Sequence, residues 1–198
     1  MRLKYVLEYT SRVIVGLEDE LNALDSAIGD GDHGTNMSRG FCTVLDGVDA
    51  VNFDSVSSVF VYIGETLMSS IGGASGALYG LFFIHIGEAL PDNDKVVMGD
   101  LIVALQRGVE AIKDLGESDV NQKTMLDVII PVIHMLNDDN LSLEKVSKFA
   151  ERQSESTIMM KAEKGRASFL GDRSIGHLDP GARSSQVIIS SVCKALAS

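Results

Sequence analysis

Residues 74–90 read ASGALYGLFFIHIGEAL, a run that is apolar nearly all the way round a helical wheel. A helix with no polar face belongs in the interior. Working outward, the flanking sequence carries the same helical period. Leu3, Val6, Leu7, Val13, Ile14, Leu17, Leu21 and Leu24 recur at steps of three, four and seven and mark one face of a first helix. Met37, Phe41, Val44, Leu45 and Val48 form a second stripe, and Val56, Phe60, Ile63 and Leu67 a third.

After residue 90, PDND (91–94) is a turn by composition. Leu101, Leu105, Val109 and Ile112 give a fifth helix, which Gly116 can terminate. Residues 124–136, TMLDVIIPVIHML, give a sixth, which Pro131 should kink or break. Ser142 is placed to cap a seventh helix reaching to about Lys164. Residues 165–181 are glycine-rich and irregular, and Val187, Ile188, Val192 and Leu196 mark an eighth and last helix. The best strand candidate is VNFDSVSSVFVY at 51–62. No repeat, low-complexity segment or long linker interrupts the chain, so residues 1–198 read as one all-α domain.

The bulk numbers exclude some functions. At 198 residues and 45% hydrophobic, the chain can bury a sizeable core. Its net charge of -11 disfavours a nucleic-acid partner. An acidic chain that handles phosphate needs metal ions or local basic groups to offset its own field. No stretch has the length of a membrane span, and Glu8 and Arg12 stand where a signal peptide needs an apolar run. Cys42 and Cys193 match no ligand spacing and read as reduced thiols, so the expected location is the cytoplasm.

The unusual chemistry falls between helices, in segments 25–36, 72–76, 116–127 and 165–181. These follow the first, third, fifth and seventh helices. In an antiparallel bundle every second connection emerges at the same end, so all four should meet at one rim.

The first segment, DSAIGDGDHGTN, offers Asp25, Asp30 and Asp32 as hard oxygen ligands. An EF-hand loop is excluded, because its glycine and glutamate positions hold Thr35 and Phe41, or Asp30 and Asn36 in the other register. A few carboxylates suit magnesium, which completes its shell with phosphate oxygens and water. A solvated turn whose acids cap the next helix accounts for the spacing equally well. The second segment, GGASG, precedes a helix and can present free N–H groups and the Ser75 hydroxyl to an anion. It is not a P-loop, since no Gly-Lys pair occurs in the chain. Nor is it a serine-hydrolase elbow, since Ala77 stands where that motif needs glycine. The third holds KTMLD, with Thr124 as a candidate cap and Met125 for core or pocket. The fourth carries Arg166, Arg173, His177, Asp179 and Arg183 among its glycines, a source of positive charge for phosphates. His85 and His134 lack a second ligand at i+4 and read as structural.

Taken together, GDGDHGTNM, GGASGALYG, KTMLD and GRASFLGDRSIGHLDPGA resemble, in order and spacing, the nucleotide-binding L subunit of dihydroxyacetone kinases. The resemblance covers essentially the whole chain. It implies an all-α barrel of about eight antiparallel amphipathic helices with ADP or ATP at one rim. It implies that Asp25, Asp30 and Asp32 hold two magnesium ions that bridge to the phosphates. His33, Gly34, Thr35 and Asn36 match the nucleotide-contacting run, and Ala74 and Ser75 the phosphate loop. Gly116 and Met125 match positions near the adenine. Arg166, Asp179, Pro180 and Gly181 match a closing lid. The family often has Gly-Asp where Asn121 and Gln122 stand, Pro at Ala77 and Glu at Asp172.

The activity implied is phosphoryl transfer to a triose hydroxyl, in which positioning and charge neutralisation do most of the work. In the family, dihydroxyacetone is held by a separate K subunit, and in bacteria a phosphotransferase-system subunit rephosphorylates the bound ADP. A chain of this length resembles that bacterial arrangement, which serves glycerol metabolism. The alternatives are a nucleotide-loaded regulatory module, a kinase subunit for a related keto-sugar, and an acyl hydrolase built on Ser75 and a histidine.

Overall fold

The computed structural model describes residues 2–91 and 95–198. Among the described residues there are nine α-helices, no strand, and two short 3-10 segments. The helices are α1 (Arg2–Val15), α2 (Glu18–Ile28), α3 (His33–Gly47), α4 (Val56–Ser70), α5 (Gly73–Ala89), α6 (Met98–Gly116), α7 (Leu126–Met135), α8 (Leu143–Ser156) and α9 (Pro180–Ala197). The 3-10 segments cover Thr157–Met159 and Arg166–Ser174.

The long first helix expected from the sequence is two. The chain breaks at Gly16–Leu17, where Leu17 N–H bonds back to Ile14 O at 3.0 Å. Glycine weakens the helix there. Glu18, Asp19 and Glu20 then start α2, where their charge meets the positive end of its dipole. The apolar stripe survives the break, since Ile14 and Leu21 are both fully buried in one core. The strand candidate at 51–62 is not a strand. Ser55 and Ser58 form a reciprocal capping box at 3.2 Å each way, and α4 begins at Val56.

Ser142 caps α8 by accepting from Lys145 N–H at 3.2 Å. That helix ends at Ser156 rather than near 164, because the chain tightens into the first 3-10 segment. α7 runs through Pro131 without ending. α6 does end at Gly116, but the left-handed residue is the next one, Glu117, at φ 46°. The turn expected at 91–94 lies mostly outside the described residues.

The helices close into a barrel. α3 packs on α4, α4 on α5, α5 on α6, α6 on α7, α7 on α8 and α8 on α9, and α9 returns to α1, which packs on α3. α2 sits beside α3 and α9. α5 is one of the staves, with α3, α4 and α6 as neighbours, which explains why it needs apolar side chains on so many sides. The core between the staves includes Ile14, Met37, Phe41, Leu67, Tyr79, Ile86, Ile112 and Leu126. No described helix is long and apolar enough to cross a membrane.

Candidate functional site

All four inter-helix segments open onto one cleft of about 410 Å³. From the first segment come Asp25, Asp30, Asp32, His33 and Asn36, and from the second Gly72, Gly73, Ala74 and Ser75. Gly116, Ser118, Lys123, Thr124 and Met125 come from the third, and Arg166, Asp179, Pro180 and Gly181 from the fourth.

The acidic wall is built by the junction of α2 and α3. Asp25 is buried on the last turns of α2. Its Oδ2 accepts from the backbone N–H of Asp32 at 2.9 Å and of His33 at 3.2 Å. The carboxylate thus satisfies N–H groups at the start of α3 that no helical carbonyl can reach. Gly29 permits this fold-back, since a Cβ there would lie 2.1 Å from Asp25 Oδ1. Oxygens of Asp25, Asp30 and Asp32 lie within 4.8 Å of one another. Three hard oxygen donors on an open wall fit a divalent cation such as magnesium. Arg166 faces them, its Nη2 3.0 Å from Asp30 Oδ2.

Opposite stands the start of α5. Gly72 is its cap residue, and a Cβ on Gly72 or Gly73 would meet nothing within 4 Å. The glycines therefore leave the helix N-terminus open to the cleft rather than filling a packing need, an arrangement suited to an anion. Ser75 Oγ lies 3.2 Å from His33 Nδ1, and His33 Nε2 lies 2.9 Å from Ser184 Oγ. Ser184 also donates to a carbonyl, of Pro180 at 3.0 Å or Gly181 at 3.1 Å, and meets Tyr79 OH at 2.8 Å. Tyr79 OH reaches Ser185 Oγ at 2.7 Å. Burial lowers the His33 pKa, outweighing the pull of Asp25 and Asp32, so the ring is held neutral. Burial pushes Tyr79 up to about 12. A Ser–His pair can mark an activated nucleophile. Here the far ring nitrogen faces a serine hydroxyl rather than a carboxylate, and Ser75 sits at a helix start rather than on a strand-to-helix elbow.

The third wall is apolar, made by Leu78, Ile112 and Met125. Met125 is 5% exposed and also belongs to the core, so it serves both of the roles open to it. Its loop is shaped by Asp127, whose carboxylate accepts from Thr124 N–H at 2.7 Å and from Asn121 N–H. Burial raises the Asp127 pKa against those hydrogen bonds. Asn121 takes a left-handed φ of 65°, a conformation asparagine tolerates, so its backbone goes where glycine would go readily.

The fourth wall comes from segment 165–181 and the start of α9. Asp179 caps α9, its Oδ2 accepting from Ala182 N–H at 2.8 Å. Burial pushes Asp179 up to about 7, against that bond and the nearby Lys123 charge.

Two expected contact residues are not on the cleft wall. Gly34 is packed against α2, where a Cβ would lie 2.0 Å from Glu18 O. Thr35 turns the same way, its N–H donating to Asn22 Oδ1 at 2.9 Å and its Oγ1 to Glu18 Oε1 at 3.1 Å. Successive helical residues point in different directions, so the run 33–36 splits between the cleft and α2. Sequence reading missed Lys123, Asp127, Tyr79 and Ser184. Tyr79 lies one helical turn after Ser75 on the same face, a signal that was available. The two serines at 184–185 announced nothing, because paired serines are common.

A family model described as the DAK2 domain matches residues 27–194. The ADP-binding subunit DhaL of a PEP-dependent dihydroxyacetone kinase from Escherichia coli is 43% identical over 171 residues, covering 83% of this chain and 81% of that protein. The corresponding subunit of kinase 1 from Listeria innocua is 41% identical, covering 85% and 82%. The solved dihydroxyacetone kinase of C. freundii, in complex with AMP-PNP and Mg2+, superposes with a TM-score of 0.80 at 24% identity. It covers 96% of this chain, which spans 33% of that one, and it establishes the likeness of fold. A match over most of the length, with relatives above two-fifths identity, places this chain in the DAK2-domain family.

Proposed function

We propose that this chain is the nucleotide-bearing subunit of a dihydroxyacetone kinase, passing the terminal phosphate of ATP to dihydroxyacetone held by a separate K subunit. In this reading residues 1–198 form one nucleotide-binding domain. ADP left in the cleft is rephosphorylated by a phosphotransferase-system subunit, and the protein works in the cytoplasm in glycerol metabolism. The observation that carries the reading is the facing of two walls: three carboxylates on one side, an open helix N-terminus on the other.

Asp25, Asp30 and Asp32 would hold magnesium, two ions in the family pattern. When bound, magnesium supplies the positive charge that makes a polyphosphate tolerable beside three carboxylates and polarises the transferring group. The α5 amides, Ala74 and Ser75 bind the phosphates. His33 is occupied at both nitrogens, by Ser75 and Ser184, so it positions Ser75. Gly116, Met125, Ile112 and Leu78 take the adenine. Arg166 lies beside Asp30, where it can meet phosphate oxygens and neutralise charge. Pro180 and Gly181 close over the nucleotide from the lid. Such a site needs no nucleophile of its own, because phosphoryl transfer rests on positioning and electrostatics.

Native mass spectrometry of the purified protein tests this directly, with retained ADP and magnesium as the expected result. Reconstitution with K and phosphodonor subunits then separates the alternatives. Phosphate flux to dihydroxyacetone supports the kinase, and flux only to a related keto-sugar such as erythrulose moves the acceptor. Nucleotide loading without flux leaves a regulatory module. The Ser75–His33 contact gives the hydrolase reading its one observation, and a fluorophosphonate probe should leave Ser75 unlabelled.

A further inference from the structure

Lys123 is 1% exposed, yet its side chain ends in an amine. An ammonium has three N–H donors and no acceptor, so burial requires that it find partners. Its Nζ donates to the backbone carbonyls of Thr157 and His177. These belong to different pieces of chain. Thr157 opens the 3-10 turn after α8, and His177 lies in the lid, two residues before Asp179. Around the same point Gly176 N–H donates to Ile158 O at 2.7 Å, and Asp179 N–H to Thr157 Oγ1 at 3.2 Å. Burial lowers the Lys123 pKa, and the nearby Asp179 and Asp127 carboxyls work against that shift. Lys123 also borders the cleft.

Earlier in the lid, Ala167 and Leu170 pack with Ile28 and Ala162, and Ser174 Oγ accepts from Ala162 N–H at 2.9 Å, but other parts are exposed. Phe169 is 89% exposed, and Gly165, Gly171 and Gly176 all sit at positive φ. The Arg166–Asp30 and Lys161–Asp172 pairs are between exposed side chains, which hold weakly in water. Its C-terminal end is attached by a buried polar contact, in which a single side chain reaches both pieces of chain.

We propose that Lys123 is a positioning residue that clamps the lid: by tying His177 to Thr157 it holds Asp179, Pro180 and Gly181 at the cleft and so sets the rate of ligand release. The second half of this rests on the reading of the cleft as a nucleotide site; the clamp itself does not. The order of events follows from the geometry. A lid that swings out must strip the Lys123 amine of a carbonyl, so opening at 175–181 is coupled to leaving a buried donor without its partner.

The test compares the full chain with Lys123→Met, which keeps the stem and removes charge and donors, and Lys123→Arg, which keeps both. Amide hydrogen exchange is read across the chain, and release of a fluorescent ADP analogue is followed with magnesium present. In Lys123→Met, exchange at Gly176 and Asp179 should rise about tenfold or more while α3–α5 stay unchanged, a local opening rather than a global one. Analogue release should quicken in parallel, and Lys123→Arg should recover part of both. Wild-type exchange at 175–181 in folded Lys123→Met overturns the clamp, as does a rise spread evenly over all helices. If Lys123→Met does not fold, exchange of the wild type over a denaturant series decides. Lid amides that open together below the global transition support the clamp, and lid amides that open only with the whole chain overturn it. If wild type binds no ADP analogue, the nucleotide reading fails while the exchange arm still judges the clamp.

Discussion

Asp25 accepts a hydrogen bond from the backbone N–H of Asp32 at 2.9 Å, so one candidate metal ligand fixes the backbone of another. The buried acid is therefore structural as well as ligating, while Asp30 and Asp32 are exposed.

Alanine substitutions should separate these roles. Asp25→Ala leaves the N–H groups of Asp32 and His33 without a partner and should cost about 1–3 kcal/mol of stability. Asp30→Ala breaks only an exposed pair with Arg166 and should change stability by less than about 1 kcal/mol. Both should lose magnesium-dependent ADP binding. Urea denaturation without metal, alongside calorimetric titration with ADP and magnesium, checks both parts.

Two glycines of the cleft should respond in opposite ways. Gly29→Ala drives a Cβ into the Asp25 carboxylate and should lower both stability and metal affinity. Gly72→Ala meets no neighbour at an ordinary φ of -80° and should shift stability by only about 0.5 kcal/mol. Its methyl nevertheless borders the space a phosphate would fill, so ADP affinity should fall about tenfold, equivalent to ~1.4 kcal/mol. Wild-type affinity in Gly72→Ala would remove α5 from the phosphate site.

Asp179 should leave a signature in the pH dependence of stability. Its folded pKa is raised to about 7 from 3.8 by burial. The folded chain then keeps a proton that the unfolded chain has released. The stabilisation is full below the unfolded value and is lost as pH rises through about 7. His33, whose pKa is lowered, works the other way, losing stability as pH falls. Asp179→Asn keeps a good helix cap and removes only the Asp179 contribution. Subtracting urea midpoints of the variant from wild type between pH 4 and 7.5 should give a difference that falls with pH.

Tyr79→Phe removes one hydroxyl shared by Ser184 and Ser185, both buried. Stability should drop by about 1–3 kcal/mol, since their hydroxyls lose a partner. Adding Ser185→Ala should cost less than the sum of the two single changes, because the residues share one bond. A chemical-denaturation double-mutant cycle measures the difference.

Much of the barrel was legible because apolar residues at helical spacing leave few alternatives. The parity of the loops, with a chemical segment following every second helix (α2, α4, α6 and α8), brought 25–36, 72–76, 116–127 and 165–181 to one cleft. Where reading failed, a local effect outweighed the stripe. Gly16 split the first helix, and Ser55 and Ser58 capped α4 inside an alternating pattern. Gly34 and Thr35 were contiguous with true wall residues in sequence but not in direction.

By itself, the sequence determined the helical class, the rim where the loops gather, and the residue types on offer there, because periodicity and motif order are one-dimensional properties. Only the tertiary structure decided which of those residues face the cleft. It joined Ser75 to His33 across 42 positions and His33 to Ser184 across 151. It also buried Lys123 against two carbonyls that no spacing could have paired. Hydrogen-bond partners and burial depend on how helices pack in three dimensions, and a buried charge becomes tolerable only once that packing has brought its partners within reach.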